Sequence, residues 1–356
     1  PGGNNWCKPG LADSLGALSK KTYPNGTKRR MCSDVVGGMK QVENARSPEM
    51  SVAQARFGVV RVPFLALTLT CMALAVTLVW PAMATADGYR ILWVMLAAFS
   101  AHVSVNAFNE FQDFRSGLDL HTRRTPFSGG SGALPTHPQL LAFTGWVAAG
   151  SLMLTTGLGM YLLWSAGAAR WPLLGLGLLG VVLVLSYTPW LTRRPWLCAI
   201  APGLAFGPIF VWGTCLALVQ DLPAAAWWAA ALPFGFTNNL LLLNQVPDID
   251  ADREVGRRTL PMFLGRAALV RVMVLQWGLA LAAVGAGVVV GHLPQGALWV
   301  YVLIPLVVML AWQLTRWASP VSGVAMAVGQ DVPPGMALNV ALAVLAPALL
   351  AVGIAI

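Results

Sequence analysis

From about residue 59 to the C-terminus the chain alternates between long apolar runs and short polar or Gly/Pro-rich breaks. A helix needs about 20 apolar residues to cross a bilayer's hydrocarbon. The runs predict nine transmembrane helices, at 59–80, 91–111, 140–164, 171–190, 196–219, 224–244, 267–290, 297–314 and 336–356. The expected fold class is all-α, a polytopic membrane protein. Pro202, Gly203, Gly207, Pro208 and Pro233 fall inside these helices, where they are tolerated and mark bends around a cavity. Residues 1–49 lack apolar periodicity and carry eight basic against four acidic side chains. That pattern predicts a disordered basic tail. It has no apolar core of a secretory signal. Because the chain opens with Pro1, it is expected to be either a fragment or a chain that includes translated upstream sequence, with Met50 as a natural start. The expected division is thus 1–49 and 50–356.

Composition reinforces the membrane assignment: 57% of residues are hydrophobic, 10% are charged, and mean hydropathy is +0.66. In a soluble chain a net charge of +9 would suggest nucleic acid; here it reports topology. With the N-terminus inside, the connections on that side hold eleven arginines, at 115, 123, 124, 193, 194, 253, 257, 258, 266, 271 and 316. The opposite connections hold two, Arg90 and Arg170. The positive-inside rule then predicts a cytoplasmic membrane protein with helix ends 2 and 6 facing the cytoplasm. Cys7, Cys32, Cys71, Cys198 and Cys215 include no C-x-x-C pair and suggest no disulfide framework.

Two polar clusters interrupt this apolar chain. In LLLLNQVPDIDADREVGRRTLPMFLGR (240–266), Asn244, Asp248 and Asp252 stand at i, i+4 and i+8, which on a continuing helix is one face. Asp250, Glu254, Arg253, Arg257 and Arg258 crowd around them. In VSVNAFNEFQDFRSGLD (103–119), Asn109 and Asp113 repeat the spacing and Asp119 follows. Seven of the chain's 14 acidic residues lie in these two stretches. Carboxylates at such spacing repel unless a cation sits among them. Mg²⁺, with oxygen ligands from one or two carboxylates and from substrate phosphates, fits that need. The neighbouring arginines would take the remaining phosphate oxygens. A solvated polar loop is the plainer reading of either cluster alone; the pair suggests two metal sites clamping one diphosphate.

These residues resemble the UbiA superfamily of intramembrane prenyltransferases. The second motif reads Asn244, Asp248, Asp252, Arg253, Gly256, Arg257, Arg258, Thr259, Leu260, and the first reads Asn109, Asp113, Phe114, Gly117, Asp119, with 135 residues between the two asparagines. The longer gap to Asp119, with Gly117 before it, is similar to the branch that prenylates 1,4-dihydroxy-2-naphthoate in menaquinone synthesis. The resemblance implies nine helices around a central cavity, an isoprenyl diphosphate donor, an aromatic acceptor and Mg²⁺ held by Asp113, Asp119, Asp248 and Asp252. Asn109 and Asn244 would bond diphosphate or metal-bound water. Arg61, Arg253, Arg257 and Arg193 would clamp the diphosphate, and Tyr187 resembles the family's loop tyrosine. Arg123 and Arg124, with the loop 128–132, could form an anion-binding nest, or the loop could be a plain linker. No nucleic acid and no protein partner are expected.

Alternatives remain at this stage. Another acceptor (4-hydroxybenzoate, homogentisate, a chlorin or a glycerol-lipid) fits the same motifs. A secondary transporter could also use an internal repeat with polar, broken helices, although its ionisable groups should lie mid-membrane. His102, about two turns before Asn109, is either a functional group or a hydrogen-bonded strut to a neighbouring helix. Asn238 and Asn239 face either the interior of helix six or a neighbour.

Overall fold

The computed structural model describes residues 50–83, 88–122, 124–125, 127–319 and 332–356. The tail expected at 1–49 therefore lies outside the described residues, as does Arg123. Helices account for the architecture, with no strand among the described residues. The long ones are α1 (Leu65–Val79), α2 (Gly88–Ser116), α3 (Leu141–Trp164), α4 (Arg170–Ser186), α5 (Pro195–Val219), α6 (Ala224–Asn244), α7 (Arg266–Val289), α8 (Ile304–Ala318) and α9 (Met336–Ala355).

By length and apolar composition, eight segments can cross a membrane; they contain every long helix except α6. α6 has the length, at 21 residues, but carries Trp227, Trp228, Asn238, Asn239 and Asn244. It is also the centre of the bundle, with thirteen residues buried, packed against α5, α7 and α9. A helix walled by protein can keep polar groups that lipid would penalise, provided each finds a partner. Asn238 Oδ1 accepts from the Gly203 amide at 2.7 Å, and Asn239 Nδ2 donates to the Met273 carbonyl at 2.8 Å. Asn339 of α9 donates to the Asn239 carbonyl at 2.9 Å. Both α6 asparagines thus bond to neighbouring helices, which resolves the choice open in the sequence. α5 approaches α6 at Gly203 and Gly207, where a Cβ would meet Asn238 and the backbone of residues 230 and 234. Pro202 and Pro208 interrupt its hydrogen-bond ladder, and the middle of α5, Ala205–Trp212, widens into a π-helix.

The sequence predicts a first helix from residue 59. Instead, a short helix, Val52–Gly58, opens with a Ser51/Gln54 capping box, and the chain turns at Arg61 before α1. Arg61 adopts left-handed backbone (φ 53), and Pro63 restarts the helix. A non-glycine residue held there costs of order 1 kcal/mol and needs surrounding contacts to fix it. Asn106 of α2 supplies one, donating to the Val60 carbonyl at 2.9 Å.

Candidate active site

α2 carries Asn109, Glu110 and Asp113 along its last turns, so the i, i+4 face expected there is present. At Gly117 the backbone turns left-handed (φ 82) into a short helix, Leu118–His121, which brings Asp119 back among the same carboxylates. Gly117 makes that reversal possible because it has no Cβ to clash. The second motif is built differently from its expected continuous face. α6 ends at Asn244, Pro247 interrupts the chain, and a separate helix begins at Ile249. Proline lacks the N–H that would continue the ladder and disfavours helical backbone before it. Asn244, Asp248 and Asp252 still all line one cavity, because the turn replaces the missing helical register.

That cavity, of about 550 Å³, has Asn109, Asp113, Asp119, Asn244, Asp248 and Asp252 at its polar end, joined by Arg61, Tyr187 and Arg257. Gly256 (φ 79) turns the chain so that Arg257 reaches across. Its guanidinium bonds Asp113 of the first motif and Asp252 of the second, the latter at 3.2 Å. Arg253 and Arg193 do not line the cavity; Arg253 is exposed and pairs with Asp250 at 3.2 Å, and Arg193 is exposed on the 187–194 loop. Glu254 also faces outward, 3.8 Å from His121.

Beneath the cavity floor lies a group whose role is hidden in the sequence. The Glu110 side chain is fully buried; Arg61 donates to it at 2.7 and 2.8 Å, and the Ser131 amide and hydroxyl donate at 2.8 and 2.7 Å. The glycine-rich loop 128–132 is therefore not a free linker. Two of its amides bond the protein's own acids: Ser131 on Glu110, and Gly129 on Asp248 Oδ2 at 3.3 Å. Gly129, Gly130 and Gly132 all have positive φ, and a Cβ on Gly130 would meet the Asp119 carboxylate. Arg124 packs over Gly132. On the opposite side the 187–194 loop is tied to both motifs. Thr188 donates to Asn109, and the Arg258 amide donates to the Thr192 carbonyl at 2.7 Å. His102 bonds Thr68 of α1 at 2.7 Å, as a strut to a neighbouring helix, and also lines the cavity.

Electrostatics make this site short of positive charge. Burial pushes Asp119 up to about 8, with Glu110 and Asp113 adding repulsion. Burial likewise raises Asp248 to about 7, with Asp252 adding to it, and Asp252 to about 6 against the pull of Arg257. Burial and the Cys198 thiol hold the Tyr187 phenol well above its ordinary value, so it stays a donor. Asp119 Oδ2, Asn244 Oδ1 and Asp248 Oδ1 are buried without a hydrogen-bond partner. Three unpartnered oxygens from both motifs, among carboxylates that resist ionisation, match the ligand chemistry of a hard divalent cation. Among the described residues no three His, Cys, Asp or Glu side chains cluster as a protein-only metal cage, as suits an ion completing its shell from water and phosphate.

A family model described as the UbiA prenyltransferase family matches residues 64–326. The chain belongs to that family. It is accordingly a prenyltransferase, and the earlier transporter alternative falls. Solved UbiA structures share the fold. A UbiA homolog from Aeropyrum pernix K1 in its apo form superposes with a TM-score of 0.59 at 17% identity, covering 83% of this chain and 97% of that one. A UbiA homolog from Archaeoglobus fulgidus bound to DMAPP and Mg²⁺ gives 0.55 at 16% identity, covering 85% and 99%. A UbiA homolog from Archaeoglobus fulgidus bound to GPP and Mg²⁺ gives 0.53 at 15%, covering 85% and 100%. No curated protein matches the chain by sequence.

Proposed function

We propose that this protein transfers an isoprenyl group from an isoprenyl diphosphate to an aromatic acceptor of quinone biosynthesis, with 1,4-dihydroxy-2-naphthoate as the acceptor. The observation that carries the reading is the convergence of two Asn/Asp motifs, 135 residues apart, on the polar end of one apolar-walled cavity. In this reading nine helices span the cytoplasmic membrane around that cavity, α6 included, with both motifs toward the cytoplasm. Asp113, Asp119, Asp248 and Asp252 would hold Mg²⁺, which when bound neutralises the diphosphate and makes it a leaving group. Asn109, Asn244, Arg61 and Arg257 orient the phosphate oxygens. The apolar walls keep water from the allylic cation left when the donor's C–O bond breaks. The acceptor ring carbon then attacks that cation, forming the new C–C bond, and the naphthoate's carboxylate leaves as CO₂, its bonding pair returning to the ring, while diphosphate departs. An adjoining hollow of about 420 Å³ shares Arg61, Phe64 and Phe127 with the cavity and adds Phe57 and Arg124. Aromatic walls beside arginines support an acceptor that is flat and anionic.

The test is turnover by purified protein in detergent with Mg²⁺, a labelled isoprenyl diphosphate, and 1,4-dihydroxy-2-naphthoate, 4-hydroxybenzoate or homogentisate. EDTA-sensitive prenylation of the naphthoate is expected. Selective prenylation of another acceptor overturns the acceptor, and absence of all EDTA-sensitive transfer overturns the reading.

A pH dependence follows from the raised acids. Their unfolded values lie near 4, so between about pH 4 and 8 the folded state binds more protons than the unfolded. Stability without divalent cation should therefore fall as pH rises through that window. Mg²⁺, which competes with those protons, should raise the melting temperature more at pH 8.5 than at pH 6. Thermal unfolding in detergent at both pH values, with and without Mg²⁺, checks this; an equal shift at both would contradict it.

A further inference from the structure

The end of α6 carries a polar group that the metal and diphosphate leave without a task. Gln245 follows Asn244 by one position, about 100° further around the helix end, and turns toward α5. There its Nε2 donates to the Cys198 thiol at 3.3 Å, and the thiol donates to the Tyr187 hydroxyl at 3.7 Å. A thiol has one proton; with that proton on Tyr187, the sulfur can only accept from Gln245. One arm of the amide is thereby fixed. The other arm, Oε1, is buried without a partner, on a residue that is 8% exposed and lines the cavity. Buried carbonyl oxygens are seldom left unpaired in native proteins, so each one calls for a partner. The hydroxyls of Thr237 and Thr259 are also unpartnered and line the cavity, but a hydroxyl rotates to give or to take. A carboxamide oxygen only takes. Whatever meets Gln245 must therefore bring a proton donor. An ionised diphosphate has none, and an isoprenyl tail has none. The aromatic acceptor has one in its ring hydroxyl.

We propose that Gln245 Oε1 accepts a hydrogen bond from the acceptor hydroxyl ortho to the attacking ring carbon, and that Cys198 is the positioning residue that holds the amide in this orientation. The inference rests on the acceptor reading above and names the group the site selects, a free phenolic O–H. The contact serves the reaction as well as binding. As the ring's electron pair forms the C–C bond to the allylic cation, positive charge develops on the ortho oxygen and its O–H becomes a stronger donor. A hydrogen bond to Oε1 therefore strengthens toward the transition state. The charge is cancelled when CO₂ leaves the naphthoate and its bonding pair returns to the ring, with the phenolic proton still on oxygen. Gln245 takes no proton at any point, as suits an amide. A hydrated Mg²⁺ also carries O–H groups, and the experiment separates the two sources.

The experiment measures prenyl transfer by the full chain in lipid nanodiscs, for wild type, Gln245→Leu, Cys198→Ala and Cys198→Ser. Each is assayed with 1,4-dihydroxy-2-naphthoate, or whichever hydroxylated acceptor wild type turns over, and with that acceptor's methyl ether at the ortho oxygen. Donor KM and the Mg²⁺ requirement are read alongside and report an intact site. Wild type is expected to favour the hydroxyl over the ether by about tenfold or more. Gln245→Leu, close to glutamine in shape, should lower kcat/KM for the hydroxylated acceptor about tenfold or more and bring its preference over the ether within about threefold. Its donor KM should stay within about twofold of wild type. Cys198→Ala should shift the same ratio in the same direction, and Cys198→Ser, which still accepts from Gln245, should recover most of it. A wild-type preference retained in Gln245→Leu would overturn the proposal. So would a matching rise in donor KM and Mg²⁺ requirement, which would assign Oε1 to the hydrated metal. A Cys198→Ala variant equal to wild type would remove Cys198 from its positioning role. A wild-type protein that prenylates no hydroxylated aromatic would overturn the function itself, an outcome distinct from the others.

Discussion

Alanine at Asp113 or at Asp248 is expected to lower prenyl transfer by about a thousandfold while leaving a folded protein. Removing one preorganised group that balances developing charge costs about 10²–10³ in turnover, and each of these aspartates belongs to a different half of the site. The fold should survive because neither deletion strands its neighbours. Arg257 loses Asp113 but keeps Asp252 at 3.2 Å. The Gly129 amide loses a bond of 3.3 Å to Asp248 but stays within a loop anchored through Ser131 on Glu110. Product formation, donor affinity and melting temperature should be read together. A variant with turnover within about threefold of wild type would remove that aspartate from the charge-balancing set, and a collapsed melting temperature would make its role structural. Asparagine at either position keeps the shape and drops the charge, so it should resemble alanine in turnover but wild type in stability.

Glu110→Ala should act by another route and show it in a different quantity. Glu110 lies fully buried and binds Arg61 and Ser131 with both carboxylate oxygens. Removing one partner of a buried ion pair costs about 3–5 kcal/mol because the other charge is left uncompensated. Here the stranded group, Arg61, is also the residue in left-handed backbone at the cavity edge. Loss of its anchor should release both the Arg61 turn and the 128–132 loop. The expected result is a lowered melting temperature together with a donor KM raised by about tenfold or more, with kcat affected less. Glu110→Asp, which keeps the charge, should recover part of both; Glu110→Gln should recover the Ser131 contact but not the Arg61 pairing. Unchanged melting temperature and KM in Glu110→Ala would contradict this account.

How far the sequence could be read depended on the range of each interaction. Membrane-length runs and the Asn109–Asp113 face are local features, and both survive in the structure. So does the turn implied by Gly117, since positive φ is a property of one residue. Glu110 was only one more acid in the cluster, because its partners stand 49 and 21 positions away. Thr188, which fixes Asn109 from 79 positions away, gave no signal at all. Arg257 was legible as a basic residue beside acids but not as the link to Asp113, 144 positions distant. Pro247 was visible, and could have warned that Asn244, Asp248 and Asp252 do not share one helix. Mean hydropathy sets α6 apart from the eight apolar segments because it carries Asn238 and Asn239, which bond neighbouring helices.

The position of α6 has a consequence for how the chain is made. Asn238 Oδ1 bonds α5, already synthesised, but Asn239 Nδ2 bonds α7, and α9 bonds back onto α6 only after the last 20 residues exist. In the nine-helix reading proposed above, a newly inserted α6 holds, until α7 arrives, an amide that lipid cannot solvate, at a cost of several kcal/mol. The helix at the heart of the enzyme is therefore the one least able to hold its place alone during biosynthesis, and its retention in the bilayer depends on segments the ribosome delivers afterwards.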